Sequence, residues 1–285
     1  METKIHQILG LNTPLSGDVG IEVEMEGKAL PREVGMYWQV KADNSLRGGA
    51  EYVLLEPSSL DTLSDKMKVL WGAFAEEQSV LEPSHRCSTH VHINIQDLTE
   101  IQVFNFMVLY LICEDALVRF CGDERVGNLF CLRARDAETV VDTIESVVRT
   151  RDWDYFNTDR IRYAAMNCSS ILRFGSLEFR SMRGVTDPRL VVRWANLLCK
   201  IKEASKTYKK PSDILNGFSE GGQEAFCYEL FGKYSRHLFN YAGWEDEITE
   251  SMRRVQCIAY SGDWDMFLFE REEEEELWDD EEDED

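Results

Sequence analysis

The stretch Ser88-Thr89-His90-Val91-His92-Ile93-Asn94-Ile95 sets the reading of the whole chain. Side chains of a strand alternate between faces, so His90, His92 and Asn94 share one face while Thr89, Val91, Ile93 and Ile95 share the other. The second set can be buried against a core. That leaves two imidazoles and an amide together on the opposite face, in a chain with only 5 histidines. Ordinary hydrogen-bond partners would explain either ring alone. Two at strand spacing point to a ligand-holding face only if carboxylates and arginines occupy similarly patterned strands elsewhere, because an imidazole pair suits many metals. Such strands lie on both sides.

Upstream, Asp18-Val19-Gly20-Ile21-Glu22-Val23-Glu24-Met25-Glu26 alternates cleanly, with Ile21, Val23 and Met25 on one face and Glu22, Glu24 and Glu26 on the other. Three carboxylates in a row repel one another. Either the face is an exposed acidic one, or a hard cation such as Mg²⁺ compensates it. A second strand is expected over residues 35–41, with a turn over 42–46. A third over 49–55 carries Glu51 as a lone carboxylate in an apolar run, where an unpaired charge is costly. Glu56, just before Pro57, reads as a solvated strand end. Residues 59–79 have helical spacing, with Ser59 as a candidate cap.

Downstream, Thr99 opens a nearly all-round apolar helix to about Cys121, which reads as a buried packing element rather than a membrane span. Arg125, Arg133 and Arg135 follow in a loop and read as surface residues, ahead of a helix over 137–149. Arg160-Ile161-Arg162-Tyr163-Ala164-Ala165 alternates as a strand with both arginines on one face. In the strand over 175–184, Glu178 and Arg180 face away from Leu177, Phe179 and Ser181; a simple cross-strand ion-pair ladder would also account for this pair. Asp187-Pro188 starts a helix to about Lys206. Beyond Pro211, helices over 223–241 and 245–260 are expected, their aromatic residues packing the interior.

Composition narrows the class. A chain of 285 residues that is 44% hydrophobic can bury a large core. Eight cysteines without any Cys-x-x-Cys pair argue against a zinc ribbon or redox motif and read as reduced, buried thiols. With no secretory pattern, a cytoplasmic protein is expected, in the host cytoplasm if phage-encoded. The formal charge of −22 is concentrated: residues 270–285 hold 13 acidic groups and one arginine, leaving −10 for the rest. That composition predicts a disordered tail, able to solubilise or to dock on a basic partner. The body has no basic, aromatic-interleaved patch for direct nucleic-acid binding. Three segments are therefore expected: a catalytic domain over 1–210, a helical extension over 211–269, and the acidic tail over 270–285.

Together the strands offer carboxylates from Glu22, Glu24, Glu51 and Glu178, imidazoles from His90 and His92, and guanidiniums from Arg160, Arg162 and Arg180. This is what is needed to hold a polyphosphate through divalent cations and to meet the charge of a transferring phosphoryl group. No Gly-rich phosphate loop with a following Lys is present. Glu22-Val23-Glu24, Gly49-Ala50-Glu51, His90-Val91-His92 and Glu178-Phe179-Arg180, in that order, resemble the signature of the glutamine synthetase-like carboxylate–amine ligases. The similarity is greatest to the amidoligases, many of them from bacteriophages or mobile elements, with glutamate–cysteine ligases more distant. It covers roughly residues 15–210; the C-terminal helices and acidic tail depart from the pattern, and the segment containing Glu56 aligns ambiguously.

The resemblance implies an α+β fold in which the concave face of an antiparallel sheet forms the site and helices pack behind it. It implies an ATP- and Mg²⁺-dependent ligase joining a small-molecule or peptide carboxylate to an amine through an acyl phosphate. By it, Glu22, His90 and Glu178 hold Mg²⁺ against the nucleotide, and Glu24 and Glu51, with Glu56 as a further candidate, hold a second ion near the acceptor. His92 contacts the nucleotide; Arg180 and Arg162, with Arg160 as a third, lie on the phosphoryl group. Glu51 joins Arg162 and Arg180 among the catalytic candidates. The rival expectations are a phosphagen-kinase-like phosphotransferase on the same sheet and a non-catalytic acidic protein that binds a basic partner or mimics nucleic acid.

Overall fold

The apolar–acidic alternation of residues 18–26 forms a central strand of an antiparallel sheet. A short helix, α1 (Ile5–Ile8), leads into β1 (Val19–Lys28), β2 (Trp38–Lys41), β3 (Gly49–Leu54), α2 (Leu60–Glu76), β4 (Val80–Leu81) and β5 (Ser88–Asn94). Then follow α3 (Glu100–Cys121), α4 (Thr139–Thr150), β6 (Met166–Asn167), α5 (Ser170–Phe174), β7 (Ser176–Arg183) and α6 (Pro188–Ser205). The helices α7 (Pro211–Gly221), α8 (Gln223–Phe231), α9 (Ser235–Leu238) and α10 (Trp244–Ser261) come last. This is a computed structural model that describes residues 3–11, 16–262 and 264. The strands pair in the order β2-β3-β1-β5-β7-β6, with β4 joining β1, and every strand pair is antiparallel. The class is α+β. Residues 270–285, expected as an acidic tail, lie outside the described residues.

One face of the sheet is apolar and covered. Ile21, Val23 and Met25 of β1, Val91 and Ile93 of β5, and Leu177 and Phe179 of β7 are buried in a core shared with the helices. Removing each such side chain from water contributes roughly 1.5–3 kcal/mol. Tyr52 of β3 meets Phe74 of α2 edge-on at 5.1 Å, and α3 and α6 pack against β7 and β5. Thr99 and Gln102 cap α3 reciprocally, each side chain bonding the other's backbone N–H. This helix is long and apolar enough to span a membrane, yet 94% of its most apolar stretch is buried inside the protein. Helix α10 packs on α3, α4 and α7, so the C-terminal helices extend the same core.

Several local expectations change. Residues 160–165 are not a strand: Thr158 accepts a bond from Arg160 N–H and caps a 3₁₀ turn over Asp159–Ile161, leaving Arg160 and Arg162 exposed. Ala164 bridges to Leu132, and only Met166–Asn167 reach β7. Ser59 makes no cap bond and pairs with Thr62 instead. A further helix, ahead of the two expected beyond Pro211, starts at Pro211 itself. The helix expected over 223–241 is interrupted at Gly232, whose φ of +57° takes it out of helical space.

The arginines read as surface residues are the largest departure. Arg133 is buried against Asp115 at 2.6 Å and Asp136 at 2.8 Å, and Arg135 reaches Asp115 at 3.4 Å. Arg125 is 1% exposed. It compensates an irregularity in the sheet: Thr89 pairs with Met182 and Val91 with Phe179, so Arg180 and Ser181 together oppose His90 as a β-bulge. Arg125 donates Nε–H to the Ser181 carbonyl at 3.0 Å and Nη2–H to the Arg180 carbonyl at 2.9 Å.

Candidate functional site

The opposite face of the sheet is polar, and the strand register decides who meets whom on it. Glu22 lies across from His90, Glu24 from Glu51, and His92 from Glu178. Gly20, opposite His92, has a local reason to be glycine: a Cβ there would sit 3.3 Å from His92 Cβ and crowd the imidazole. Arg180, two residues after Glu178 and at the bulge in β7, lies over this face as well. Its Nη1 donates to Glu178 Oε1 and lies 3.5 Å from His90 Nδ1.

His90 sits at the centre, 3% exposed. Its Nδ1 is 3.3 Å from Glu22 Oε2 and 3.4 Å from Glu178 Oε1. On the other side Ser88 donates backbone N–H and Oγ–H to Glu24 Oε2, at 3.0 and 2.5 Å, and its Oγ is 2.8 Å from His90 Nε2. A hydroxyl has one proton to give; with that proton on Glu24, His90 Nε2 is the donor to Ser88. Nδ1 and the two carboxylates then converge as acceptors, with Arg180 Nη1 as the donor beside them.

His92 is bound differently. Its Nδ1 meets Ser176 Oγ at 3.2 Å, while Nε2 is buried without a hydrogen-bond partner, 3.6 Å from Glu22 Oε1. Ligand atoms of Glu22, His92 and Glu178 all lie within 4.8 Å of one another. A serine on Nδ1 with Nε2 left open is how a ligating imidazole is oriented. Glu178 is oriented too: Asn167 donates Nδ2–H to its Oε2 at 2.7 Å, and Asn167 is held by Ser169 Oγ at 2.7 Å.

Electrostatics favour charged groups despite burial. Burial opposes ionisation of Glu22, but His90 and His92 outweigh it and hold the carboxyl well below the usual carboxylate range. Glu178 is lowered in the same way, burial being overcome by His90, Arg180 and His92. His92, which burial would discharge, is raised by Glu22 and Glu178. Glu51 goes the other way: burial, then the charge of Glu22, raises it, against the opposing pull of Lys41 directly across on β2.

Of the residues singled out from the sequence, Glu22, Glu24, Glu51, His90, His92, Glu178 and Arg180 share this face. Arg160 and Arg162 do not; Arg162 lies over the Tyr163 ring, 4.9 Å from its centroid. Glu56 follows β3 in an exposed bend. The resemblance pairs His90 with Glu22 and Glu178 around a metal and leaves the nucleotide to His92. Both rings reach Glu22, and the open nitrogen among the carboxylates is that of His92. Residues not singled out are Ser88, Asn167, Ser176 and Lys41. Ser88 had a legible signal, lying two residues before His90 on the same face; the others depend on cross-strand register.

Beside Glu22 and His92 is a cavity of about 280 Å³, walled by Val53, Leu55, Pro57 and Phe174 and bordered by Lys41 and Arg173. Compared with models of known protein families and with curated proteins, the chain matches none.

Proposed function

We propose that the protein is an ATP- and Mg²⁺-dependent carboxylate–amine ligase, an amidoligase whose sheet is of the glutamine synthetase-like type and carries the site on its polar face. The observation that carries the reading is a pair of buried nitrogen atoms at the polar face that lack hydrogen-bond partners. His92 Nε2 is buried among carboxylates without a hydrogen-bond partner, at 3.6 Å from Glu22 Oε1, and Arg180 Nε is buried without one either. The first is a free metal-ligand position; the second is a donor for an incoming phosphoryl oxygen.

The donor set fits a divalent cation. Glu22, Glu178 and His92 would hold it, the carboxylates suiting Mg²⁺ and the imidazole adding affinity for Mn²⁺ or Zn²⁺. Glu24 and Glu51, opposite each other on β1 and β3, are the candidates for a second ion. When bound, such ions neutralise the phosphate charge of the nucleotide.

A carboxylate is a poor electrophile toward an amine, so it must first be activated. Its oxygen bonds to the γ-phosphorus of ATP as the bond to the β-bridging oxygen breaks, that electron pair leaving with ADP. Arg180 meets the charge that develops on the transferring oxygens. The amine nitrogen then bonds to the acyl carbon, the carbon–oxygen bond breaks, and inorganic phosphate leaves with its electrons. The amine's proton passes to a carboxylate, with Glu51, half-buried on β3, as the candidate acceptor.

One competing arrangement has a specific geometry behind it. Ser88, His90 and Glu22 line up as a nucleophile, base and acid would, with separations of 2.8 and 3.3 Å. Ser88 is buried, however, and its proton is committed to Glu24 at 2.5 Å, so His90 cannot act as its base.

The test is ADP release from purified protein given Mg²⁺, ATP and pooled amino acids, polyamines, peptides and cell-wall fragments. An amide plus free phosphate is expected; a stable phosphorylated acceptor would make the enzyme a phosphotransferase. Glu178→Ala and His90→Ala should abolish turnover while retaining the far-UV circular dichroism of the wild type. Normal turnover in either variant would refute the assignment.

A further inference from the structure

Two features singled out in the sequence take no part in the site: the pair Arg160 and Arg162, and the acidic run over 270–285. Both arginines are exposed, and among the described residues neither forms an ion pair. Arg162 lies over the Tyr163 ring, and Phe130 meets the same ring edge-on with centroids 6.0 Å apart. Leu129, next to Phe130, is 73% exposed, Tyr163 41% and Phe130 38%. The two segments are tied together: Leu132 N–H donates to the Tyr163 carbonyl at 2.8 Å and Ala165 N–H to the Leu132 carbonyl at 2.7 Å. They form a built apolar surface flanked by two guanidiniums, with Asp159 as the one carboxylate over 158–165. Exposed apolar side chains gathered in this way and rimmed by polar groups mark an interaction surface.

The same chain carries the complement. Leu277 and Trp278 are the only apolar residues over 270–285, with Glu276 before them and Asp279 after. They lie within reach. Ring contacts of 5.7, 5.7 and 5.8 Å lead from Trp264 through Phe104 and Trp153 to Phe156, and Arg160 is four residues further on. Arg160 is therefore at most about 40 Å from Trp264, whereas the 13 residues from Trp264 to Leu277 extend to roughly 45 Å. A tether of this length gives an attached segment an effective concentration that a separate partner of equal chemistry does not have. We infer that the acidic segment docks on its own chain, with Leu277 and Trp278 on Leu129, Phe130 and Tyr163, and Glu276 and Asp279 pairing with Arg160 and Arg162. The surface adjoins the polar face, since the Ala165 carbonyl accepts the Arg180 N–H at 2.9 Å. None of this rests on the ligase reading.

Photo-crosslinking in the full chain tests it, without nucleotide or metal. Benzoylphenylalanine replaces Trp278, which keeps an aromatic side chain there, and peptide mass spectrometry after irradiation of dilute protein locates the new bond. Crosslinks within one chain to residues 128–132 or 160–163 are expected. The double substitution Arg160→Glu, Arg162→Glu should lower their yield about fivefold or more, the scale of two exposed ion pairs lost. About 0.5 M NaCl should lower the yield as well, because exposed pairs are screened. Both arginines are exposed, so the double variant should fold, and Leu277→Ser tests the apolar half of the contact without touching the folded surface. No crosslink, crosslinks only between chains or to another surface, or a yield indifferent to both the charge reversal and Leu277→Ser would overturn the inference.

Discussion

Asn167 shows how much of the site rests on a single neutral side chain. Glu178 is buried and charged, and two groups hold its two oxygens: Arg180 on Oε1 and Asn167 on Oε2. Asn167→Ala leaves one oxygen without a donor, a loss of about 1–3 kcal/mol for a buried acceptor. The same change frees a candidate metal ligand to rotate, and loss of such an orienting partner lowers metal affinity about 10–100-fold. Urea denaturation and Mn²⁺ titration calorimetry measure the two effects; a variant as stable as the wild type with unaltered Mn²⁺ affinity would dismiss this role. Asn167 stands in the sequence just after the alternating stretch 160–165, with nothing local to mark it. Its contact with Glu178 follows from the pairing of β6 with β7, which no local pattern encodes.

At the scale of the element, α3 carries a carboxylate in the core. Glu114 is 3% exposed and accepts the Ala134 N–H at 2.6 Å. Burial, then the charge of Asp115, pushes it up to about 8, against the pull of that backbone bond, Arg133 and Arg254. The folded chain thus keeps a proton that the unfolded chain releases above about 4.5. Its stabilising contribution is complete below that pH and is lost as pH rises through about 8. Glu114→Gln keeps an acceptor for Ala134 without the titration, so the gap in unfolding free energy between variant and wild type should widen in the variant's favour from pH 5 to pH 9. Parallel pH profiles for the two proteins would contradict this. The acidic pair Glu114-Asp115 lies inside the helix that the sequence reads as nearly all-round apolar, and Arg133 and Arg135, read as surface residues, fold back onto Asp115.

For the whole molecule, the polar face concentrates five carboxylates, Glu22, Glu24, Glu26, Glu51 and Glu178, around Arg180 and two imidazoles. A cation that binds this face only in the folded state stabilises the chain by about 2.7 kcal/mol at a hundred times its dissociation constant. For a protein of this size that is a rise in melting temperature of roughly 5–10 °C. Mn²⁺ or Mg²⁺ should give that rise in differential scanning fluorimetry, EDTA should reverse it, and His92→Ala should lose most of it. An equal rise in His92→Ala would place the ion elsewhere.

Strand-period alternation is a local property, set by backbone geometry and by which side chains tolerate water. Residues 18–26, 88–95 and 175–180 therefore disclosed their apolar and polar faces, and most of the site's side chains, before any coordinates. The alternation of 160–165 was equally good and misled, because capping by Thr158 won over a pairing that the sheet edge did not extend to supply. Pairing itself joins segments up to 95 residues apart, as Ser88 with Arg183, and is chosen by how the entire core packs. Tertiary structure alone thus decided that Glu22 meets His90, that Arg180 lies at a bulge supported by a buried Arg125, and that Arg160 and Arg162 stay outside the site.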